Sequence, residues 1–370
     1  MKLLADAHIP YLNGFAEQFG QVEYLPGNLF DKQNIRDKDA LIVRTVTHFG
    51  KELLEGTKVK LICSATIGFD HIDTEYCDSH GIAWRTAPGC NASSVEQYVT
   101  SSLLHLARTH SFDLSRKTIG IIGVGNVGKK VEAACRKLGM HILLNDPPRE
   151  AKEGSSAFTG LETIRREADI ITLHTPLTKT GTYATYHLVD ENFLNHAGKK
   201  PFIINSCRGA VADNRALVHA LESGKIAGTV IDCWENEPDI DRDLLRLSDI
   251  ATPHIAGYSA DGKWAATRMS LENVNEFFHC GISPIQLSAL PTPPDPEINL
   301  MDVPVEERLA VAVRRTYDPA KETQQLKAAP ERFYYFRSHY PLRREYAAYE
   351  VVNVDEPTAR LLHDFGFKVR

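Results

Sequence analysis

Three side chains suited to anion binding and proton transfer follow predicted buried strands in the second half of the chain. They are Arg208, Glu237 and His254. An arginine binds a carboxylate through its bidentate fork, and a histidine exchanges protons near neutral pH. A carboxylate beside the histidine would hold the imidazole and stabilise its charged form. Since ligands of open α/β sheets bind beyond the carboxyl ends of the strands, this set predicts a catalytic site that oxidises a 2-hydroxy acid.

Each member of this set also has a simpler explanation when taken alone. Arg208 could form a surface salt bridge, Glu237 could cap a helix, and His254 could be a core histidine. Their joint position after predicted strands of one sheet favours the catalytic interpretation. His174 is a rival base, but it lies one strand earlier, before a Thr-Pro step that is more typical of a loop lining a cofactor.

A glycine pattern predicts where a dinucleotide binds. Gly123, Gly125 and Gly128 form G-x-G-x-x-G between the predicted strand 118–122 and the predicted helix 128–138. The first glycine allows the tight turn, the second lets the backbone approach a pyrophosphate, and the third lets helix and strand pack closely. The helix N-terminus then offers free N–H groups to the phosphates. The predicted cofactor-binding residues are Gly123, Gly125, Asn126, Val127, Gly128, Asp146, Thr175, Ser206, Cys207, Asp232 and Gly257.

Asp146 predicts NAD rather than NADP as the cofactor. It lies at the end of the strand after the glycine pattern, where a carboxylate accepts hydrogen bonds from the adenosine ribose and repels a 2′-phosphate. Arg149 weakens this preference, because a nearby arginine can hold a 2′-phosphate. The alternative is that Asp146 only caps a helix.

The elements that must position these residues follow a βαβ rhythm, which predicts parallel sheets. In the first ninety residues, short apolar runs predict strands, and the segments around Leu12–Phe19 and Lys51–Leu54 predict helices between them. Asn91–Arg108 is predicted to form one long helix with an apolar stripe. Six predicted strands follow it and indicate a doubly wound sheet. They are Thr118–Ile122, His141–Asn145, Ile170–His174, Phe202–Asn205, Thr229–Asp232 and Ile250–Thr252.

A proline-rich linker, Leu290–Pro296, separates these elements from a last region. Beyond it, periodic apolar residues predict three further helices and two short strands. The aromatic run Phe333–Phe336 predicts a surface for subunit contact, because aromatics often anchor interfaces. The alternative is that the run belongs to a small self-contained core.

Bulk composition excludes several classes of function. The chain has 370 residues, a net charge of −6 and a pI of about 6.2. This balance gives no general attraction to nucleic acid or anionic membranes, so any anion site must be local. No apolar run is long enough to span a bilayer, and the N-terminus is not typical of a signal peptide. Seven scattered cysteines without a C-x-x-C pair predict reduced thiols, a cytoplasmic location and no metal site.

Three ordered motifs carry a resemblance to a known family. The segments Asn205–Gly209, Gly228–Pro238 and Thr252–Gly257 resemble the D-isomer-specific 2-hydroxyacid dehydrogenases, and the resemblance covers roughly residues 1–280. It implies an α/β fold of two Rossmann-like doubly wound domains, with a small α+β C-terminal domain beyond them. Residues 1–92 and 257–284 would form a split substrate-binding domain, 93–256 the NAD-binding domain, and 285–370 a C-terminal domain that makes a homodimer.

Further motifs resemble one branch of that family, which acts on a phosphorylated four-carbon hydroxy acid. They are Asp6–Tyr11, Val43–Thr47, Ser64–Asp73 and Gly257–Ser259. By this resemblance, backbone N–H groups around Thr66, Ile67 and Gly68 would complete the carboxylate site. Arg44, Thr45 and Tyr258 are the candidates for the phosphate end of the substrate.

Two other functions remain open at this point. The first is another phosphorylated hydroxy-acid dehydrogenase, such as one for 3-phosphoglycerate, whose substrate is one carbon shorter. The second is an NAD-sensing binding protein without turnover, which a complete Arg–Glu–His set does not exclude. The predicted structured C-terminal region argues against the second, because a disordered tail is more typical of such sensors.

Overall fold

The chain divides into two compact units. The computed structural model describes residues 1–154, 157–283, 285 and 290–370. One unit comprises Met1–Asn91 with Ala260–Pro291, and the other Ala92–Ser259 with Thr292–Arg370. The three-domain division implied by the resemblance is finer than these two units and stays a prediction. Among the described residues, no helix is both long and apolar enough to cross a membrane.

The first unit contains a five-stranded parallel sheet with the strand order β2-β1-β3-β4-β5. Its strands β3 and β4 are fully buried, as expected of central strands in a parallel sheet covered on both faces. The helix predicted around Leu12–Phe19 is wrong over its first half, since only Ala16–Phe19 forms a short 3-10 turn. The strands are β1 (Lys2–Asp6), β2 (Gln21–Leu25), β3 (Ala40–Val43), β4 (Leu61–Ser64) and β5 (Ala83–Arg85).

The second unit contains a six-stranded parallel sheet with the order β11-β10-β9-β8-β6-β7. The strand order reverses at β6, which pairs with both β7 and β8, so the ligand crevice of a doubly wound sheet is expected beside β6. Its strands are β6 (Thr118–Ile122), β7 (His141–Asn145), β8 (Ile170–Leu173), β9 (Phe202–Asn205), β10 (Gly228–Ile231) and β11 (Ile250–Ala251).

The register of this sheet brings the ends of five strands to one edge. Asn205, the last residue of β9, pairs with the last residues of β8 and β10 on either side. The last residues of β6 and β11 continue the same row. The residues that follow the five strands, Gly123, His174, Ser206, Asp232 and Thr252, therefore leave the sheet side by side.

The longer helices bury apolar residues along one side. The long helix Ala92–Thr109 buries Val95, Val99, Leu103 and Leu106, as predicted from the stripe. The helices of the chain up to the linker are α1 (Lys32–Ile35), α2 (Lys51–Leu54), α3 (Thr74–Ser79), α4 (Ala92–Thr109), α5 (Asn126–Lys137), α6 (Pro147–Glu153), α7 (Leu161–Glu167), α8 (Glu191–Asn195), α9 (Asn214–Glu222), α10 (Arg242–Leu247) and α11 (Ala260–Phe277).

The chain after the linker adds a three-stranded parallel sheet and four helices to the second unit. Its core of Val313, Val351, Leu362 and neighbours includes Ala134 of α5, so this region packs directly on a helix of the larger sheet. The short helix Phe333–Ser338 was not predicted from the sequence. The elements are β12 (Glu297–Asn299), α12 (Arg308–Thr316), α13 (Pro319–Ala328), α14 (Phe333–Ser338), β13 (Glu350–Val352), α15 (Glu356–Phe365) and β14 (Lys368–Val369).

Candidate active site

An acid–histidine pair lies beyond the ends of β10 and β11. The Nδ1 atom of His254 is 2.9 Å from Oε2 of Glu237 and 3.1 Å from Oε1. Burial acts to raise the pKa of Glu237, but the hydrogen bond and charge of His254, the Trp234 N–H and the Arg337 charge outweigh it, so the pKa lies below its ordinary value. Because an ionised carboxylate only accepts hydrogen bonds, Nδ1 is the donor, and Nε2 of the neutral ring is the nitrogen that can accept a proton.

A buried carboxylate fixes the loop that carries the histidine. Asp232 is 1% exposed, and its oxygens accept hydrogen bonds from the backbone N–H groups of Ile255 (2.8 Å) and Ala256 (3.0 Å) and from the Thr252 hydroxyl (2.6 Å). His254 itself has a φ of 57°, a left-handed conformation that non-glycine residues rarely adopt. The Asp232 network holds that backbone in place, and such strain is typical of functional loops.

Arg208 leaves the sheet from the neighbouring strand β9. It is half-buried, and its Nη1 donates a 2.7 Å hydrogen bond to the carbonyl oxygen of Cys207. The next residue, Gly209, packs so closely on the backbone of Trp234 that a Cβ there would lie 1.9 Å from the Trp234 carbonyl oxygen. The three predicted catalytic residues thus follow three adjacent strands of one sheet, and their catalytic roles stay a prediction.

The glycine loop has the geometry that a dinucleotide needs. Gly123 has a φ of +88°, and a Cβ there would lie 2.6 Å from the His174 carbonyl oxygen. A Cβ on Gly128 would lie 2.1 Å from the Gly123 carbonyl oxygen, whereas one on Gly125 would have no neighbour within 4 Å among the described residues. Gly125 is the N-cap of α5, so the loop presents open backbone to a phosphate at the helix N-terminus.

Asp146 is tied to this loop. Its Oδ2 accepts a 2.8 Å hydrogen bond from the Val124 N–H, and its Oδ1 caps α6 through the Arg149 N–H at 3.1 Å. The Arg149 guanidinium pairs with Glu153 at 2.8 Å and donates to the Val124 carbonyl oxygen at 2.6 Å. Both the capping explanation and the cofactor explanation of Asp146 are therefore compatible with its position.

Buried polar atoms without a hydrogen-bond partner in the described part of the chain lie at the same sheet edge. They include Nδ1 of His174 and Oγ of Ser206. The other ring nitrogen of His174 lies 2.9 Å from the Thr172 hydroxyl. Burial alone lowers the pKa of His174 to about 3, so it is neutral and unsuited to being the base. Unpaired polar atoms beside the glycine loop fit the amide and hydroxyl groups of NAD.

The remaining predicted cofactor residues lie around the same edge. Asn126 and Val127 form the first turn of α5, directly after the glycine loop. Thr175 follows His174 beyond β8, and Cys207, beyond β9, is buried with its thiol donating to the Asn205 side-chain oxygen at 3.2 Å. Gly257 lies on the histidine loop. The fold thus gathers these residues, and their contacts with a cofactor stay a prediction.

The predicted substrate residues of the first unit lie at the ends of β3 and β4. The Arg44 guanidinium binds the buried carboxylate of Asp6 through Nε (2.8 Å) and Nη2 (3.3 Å). Thr45 is exposed, and the Thr66 hydroxyl lies 2.6 Å from the Ser64 hydroxyl and donates to the Gly68 carbonyl oxygen at 3.2 Å. Ile67 and Gly68 are partly exposed. The pairing of Arg44 with Asp6 was not anticipated from the sequence.

One residue near the acid–histidine pair was not predicted from the sequence. Arg337, on α14, approaches Glu237 and Tyr258 from the region after the linker. The aromatic run that precedes it, Phe333–Phe336, predicted a surface for subunit contact or a small self-contained core, and neither prediction points to the acid–histidine pair. No local pattern marks an arginine in such a segment as part of a site.

Comparison with known proteins agrees with this geometry. Residues 91–256 match the family described as D-isomer specific 2-hydroxyacid dehydrogenase, NAD binding domain, and residues 289–366 match a domain of unknown function. The D-lactate dehydrogenase of Aquifex aeolicus, solved with NAD and lactic acid, is similar at a TM-score of 0.62 and 25% identity over 75% of this chain and 96% of that one. Rhodotorula graminis D-mandelate dehydrogenase shares the fold, with a TM-score of 0.64 and 23% identity over 75% of this chain and 94% of that one.

The doubly wound sheet, its glycine loop and these matches define the class as the NAD-dependent 2-hydroxyacid dehydrogenases. Erythronate-4-phosphate dehydrogenase of Bacteroides thetaiotaomicron is 49% identical over 96% of this chain and 100% of the relative. The Porphyromonas gingivalis enzyme of the same name is 46% identical over 99% of this chain and 100% of the relative. The chain therefore belongs to the erythronate-4-phosphate dehydrogenase family.

Proposed function

We propose that the protein oxidises 4-phospho-D-erythronate at its C2 hydroxyl to 3-hydroxy-2-oxo-4-phosphooxybutanoate, a step of vitamin B6 biosynthesis. The relatives that match along nearly the whole chain carry the name of that activity. The observation that best supports this chemistry is the 2.9 Å contact between Nδ1 of His254 and Glu237, because it leaves Nε2 to accept a proton at the edge of the NAD-binding sheet.

The protein's own residues would supply proton transfer and anion binding. NAD⁺, held by the glycine loop, supplies the hydride acceptor. Neutral His254 takes the C2 hydroxyl proton on Nε2, and the ionised Glu237 stabilises the resulting imidazolium. Arg208 holds the substrate carboxylate, with backbone N–H groups around Thr66–Gly68 as further donors.

The phosphate end of the substrate is assigned to Arg44, Thr45 and Tyr258. A phosphate dianion favours a guanidinium with hydroxyl donors around it. Arg44 already shares its charge with Asp6, and that pairing holds its guanidinium at the end of β3.

Turnover by the purified full-length chain tests this function. NADH formation is measured with 4-phospho-D-erythronate and, for comparison, with 3-phosphoglycerate and unphosphorylated erythronate. The highest kcat/KM is expected with the four-carbon phosphate. A higher kcat/KM with 3-phosphoglycerate would show that the three-carbon acid is the substrate instead. NAD binding without turnover of any hydroxy acid would support the NAD-sensing alternative.

Variants of the acid–histidine pair test the mechanism. His254→Asn should lower kcat by roughly 10²–10⁴-fold while NAD still binds, because general-base catalysis contributes about that much. Glu237→Gln should move the rise of kcat with pH toward lower pH, because a neutral amide no longer stabilises the imidazolium. His187 provides a matched control, since it also pairs with a glutamate, Glu235, at 2.7 Å, and His187→Asn should leave the pH profile unchanged.

The same proposal includes a homodimer and a cytoplasmic location. Tyr334 and Tyr335 are 68% and 46% exposed on α14, and exposed aromatics often anchor subunit interfaces. No disulfide joins the cysteines in the described part of the chain, which suits a reducing compartment. Sedimentation of the native chain and of Tyr334→Lys tests the interface: the variant should be monomeric, and an unaffected dimer would exclude this face.

A further inference from the structure

A cation from the region of unknown function reaches the acid of the candidate catalytic pair. Nη1 of Arg337 lies 3.5 Å from Oε2 of Glu237, the oxygen that also accepts from His254, and Nε donates to the Tyr258 hydroxyl at 3.2 Å. The Arg337 side chain is 33% exposed. A guanidinium held by two partners on different loops links α14 to both Glu237 and the histidine loop.

The chain that follows α14 is anchored to the same loop. Arg343 is 4% exposed, and its guanidinium donates to the carbonyl oxygens of Ala256 (2.5 Å), Ile255 (3.4 Å) and Ser94 (2.8 Å). Glu345 accepts hydrogen bonds from the hydroxyls of Ser94 and Ser259, both at 2.9 Å. The backbone directly after His254 is therefore bound both by Asp232 and by the C-terminal region.

We propose that Arg337 is a positioning residue of the active site, through which the C-terminal region orients Glu237 and sets the charge around His254. The proposal rests on the catalytic roles proposed above for Glu237 and His254. It gives residues 289–366 a role in catalysis within their own chain, in addition to any role in subunit contact.

The charge of Arg337 opposes protonation of the histidine. In the described part of the chain, the ionisable groups around the imidazole and its partner acid include Asp232, Cys233, Tyr258 and Arg337, and the charges of Cys207 and Arg208 act on Cys233. Glu237 and Tyr258 contact Arg337 directly. A substitution of Arg337 therefore removes one positive charge and leaves the other ionisable groups in the chain. Removing the cation should favour the imidazolium, so oxidation should need a higher pH, which is opposite to the effect of Glu237→Gln.

The test compares pH profiles of kcat for Arg337→Met, Arg337→Lys and the native full-length enzyme. Arg337→Met should lower kcat at neutral pH and move the rise of kcat by roughly half a pH unit to higher pH, as expected for a charge acting through partly exposed surroundings. Arg337→Lys should restore the position of the profile, because it retains the charge. Arg332 is the matched control, because its guanidinium carbon lies over aromatic rings, 4.3 Å from the ring centroid of Tyr335 and 5.1 Å from that of Phe336. Arg332→Met should leave the pH profile of kcat unchanged.

Failure of the positioning role is distinguishable from failure of the proposed function. An unshifted profile for Arg337→Met, or a loss confined to KM, would overturn the positioning role. If His254→Asn and Glu237→Gln turned over normally, the catalytic assignment itself would fail, and the positioning role with it. The positioning role is supported when those two variants are impaired as expected and Arg337→Met shifts the profile in the opposite direction to Glu237→Gln.

Discussion

The buried carboxylate of Asp232 accepts a 2.8 Å hydrogen bond from the backbone N–H of Ile255, the residue that directly follows His254. A strand-end acid thereby fixes the backbone of the histidine on the next strand of the sheet. The side chain of Trp234 adds a 2.9 Å hydrogen bond from its indole N–H to the Thr252 carbonyl oxygen on the same loop. The position of His254, the proposed base, thus depends on hydrogen bonds made by Asp232 and Trp234.

Asp232→Asn should impair both folding and catalysis. Its amide group would place a donor against a backbone N–H or the Thr252 hydroxyl, at a cost of about 1–3 kcal/mol in the free energy of unfolding. Urea denaturation and kcat measure the two effects. Asp249→Asn is the control, because Asp249 accepts from the Thr229 N–H at 3.0 Å at the opposite end of the strands. It should lose stability without a comparable loss of kcat; equal losses of kcat would refute the link to His254.

The buried His174 predicts a loss of stability in mild acid. Its pKa is about 3 in the fold because of burial, against an ordinary value of 6.5, so only the unfolded chain takes up this proton between those values. The contribution of His174 to the free energy of unfolding is therefore complete above the pKa of the unfolded chain. It decreases as the pH falls below that pKa, by about 2 kcal/mol at pH 5. Urea denaturation at pH 7.5 and 5 of the native chain and of His174→Gln measures it. The variant should lose less stability between the two conditions, and identical losses would contradict the prediction.

Asp146→Asn should weaken the preference for NAD over NADP. The neutral amide no longer repels a 2′-phosphate and accepts more weakly from a ribose hydroxyl. The ratio of kcat/KM for the two cofactors should fall relative to the native enzyme. Asp190→Asn controls for the change of a capping carboxylate to an amide, since Asp190 caps α8 through the Phe193 N–H at 2.7 Å. Equal efficiency of the native enzyme with NADP would rule out the role of Asp146.

Arg44→Ala should impair phosphorylated substrates more than unphosphorylated ones. Loss of the guanidinium removes a charged donor from the proposed phosphate site and leaves the buried Asp6 carboxylate without its 2.8 Å ion pair. The kcat/KM for 4-phospho-D-erythronate should therefore fall further than that for erythronate. Asp6→Asn tests the pairing separately, because it keeps Arg44 but weakens its anchor. A uniform loss on both substrates with Arg44→Ala would assign Arg44 to structure alone.

Local sequence determined the parts of the protein that depend on neighbouring residues. The glycine pattern marked the turn between β6 and α5, because φ values such as +88° at Gly123 suit glycine. Buried apolar runs marked the six strands of the larger sheet, since parallel strands are covered on both faces. Arg208, Glu237 and His254 follow three of these strands in the sequence. Because the carboxyl ends of parallel strands share one edge of the sheet, the sequence predicted that the three residues lie at the same edge.

Other elements had no such local signature. The edge strand β2 is partly exposed and lacks the buried apolar run of the central strands, and β5 is only three residues long. Both depend on a neighbouring strand for their hydrogen bonds. The segment Leu12–Phe19 has apolar residues at helical spacing, yet only one short turn forms, between Gly14 at a φ of 87° and Gly20 at a φ of 142°.

Contacts between distant segments were decided by the tertiary structure alone. Arg337 and Glu237 are 100 residues apart in the chain, and Arg343 is 87 residues from Ala256. The periodicity of a helix or strand relates residues only a few positions apart, so it cannot predict these contacts. They arise because the C-terminal region packs on the larger sheet and its helices. The sequence thus determined which groups could perform the chemistry, whereas packing of the folded chain decided which buried charges and hydrogen bonds hold them in place.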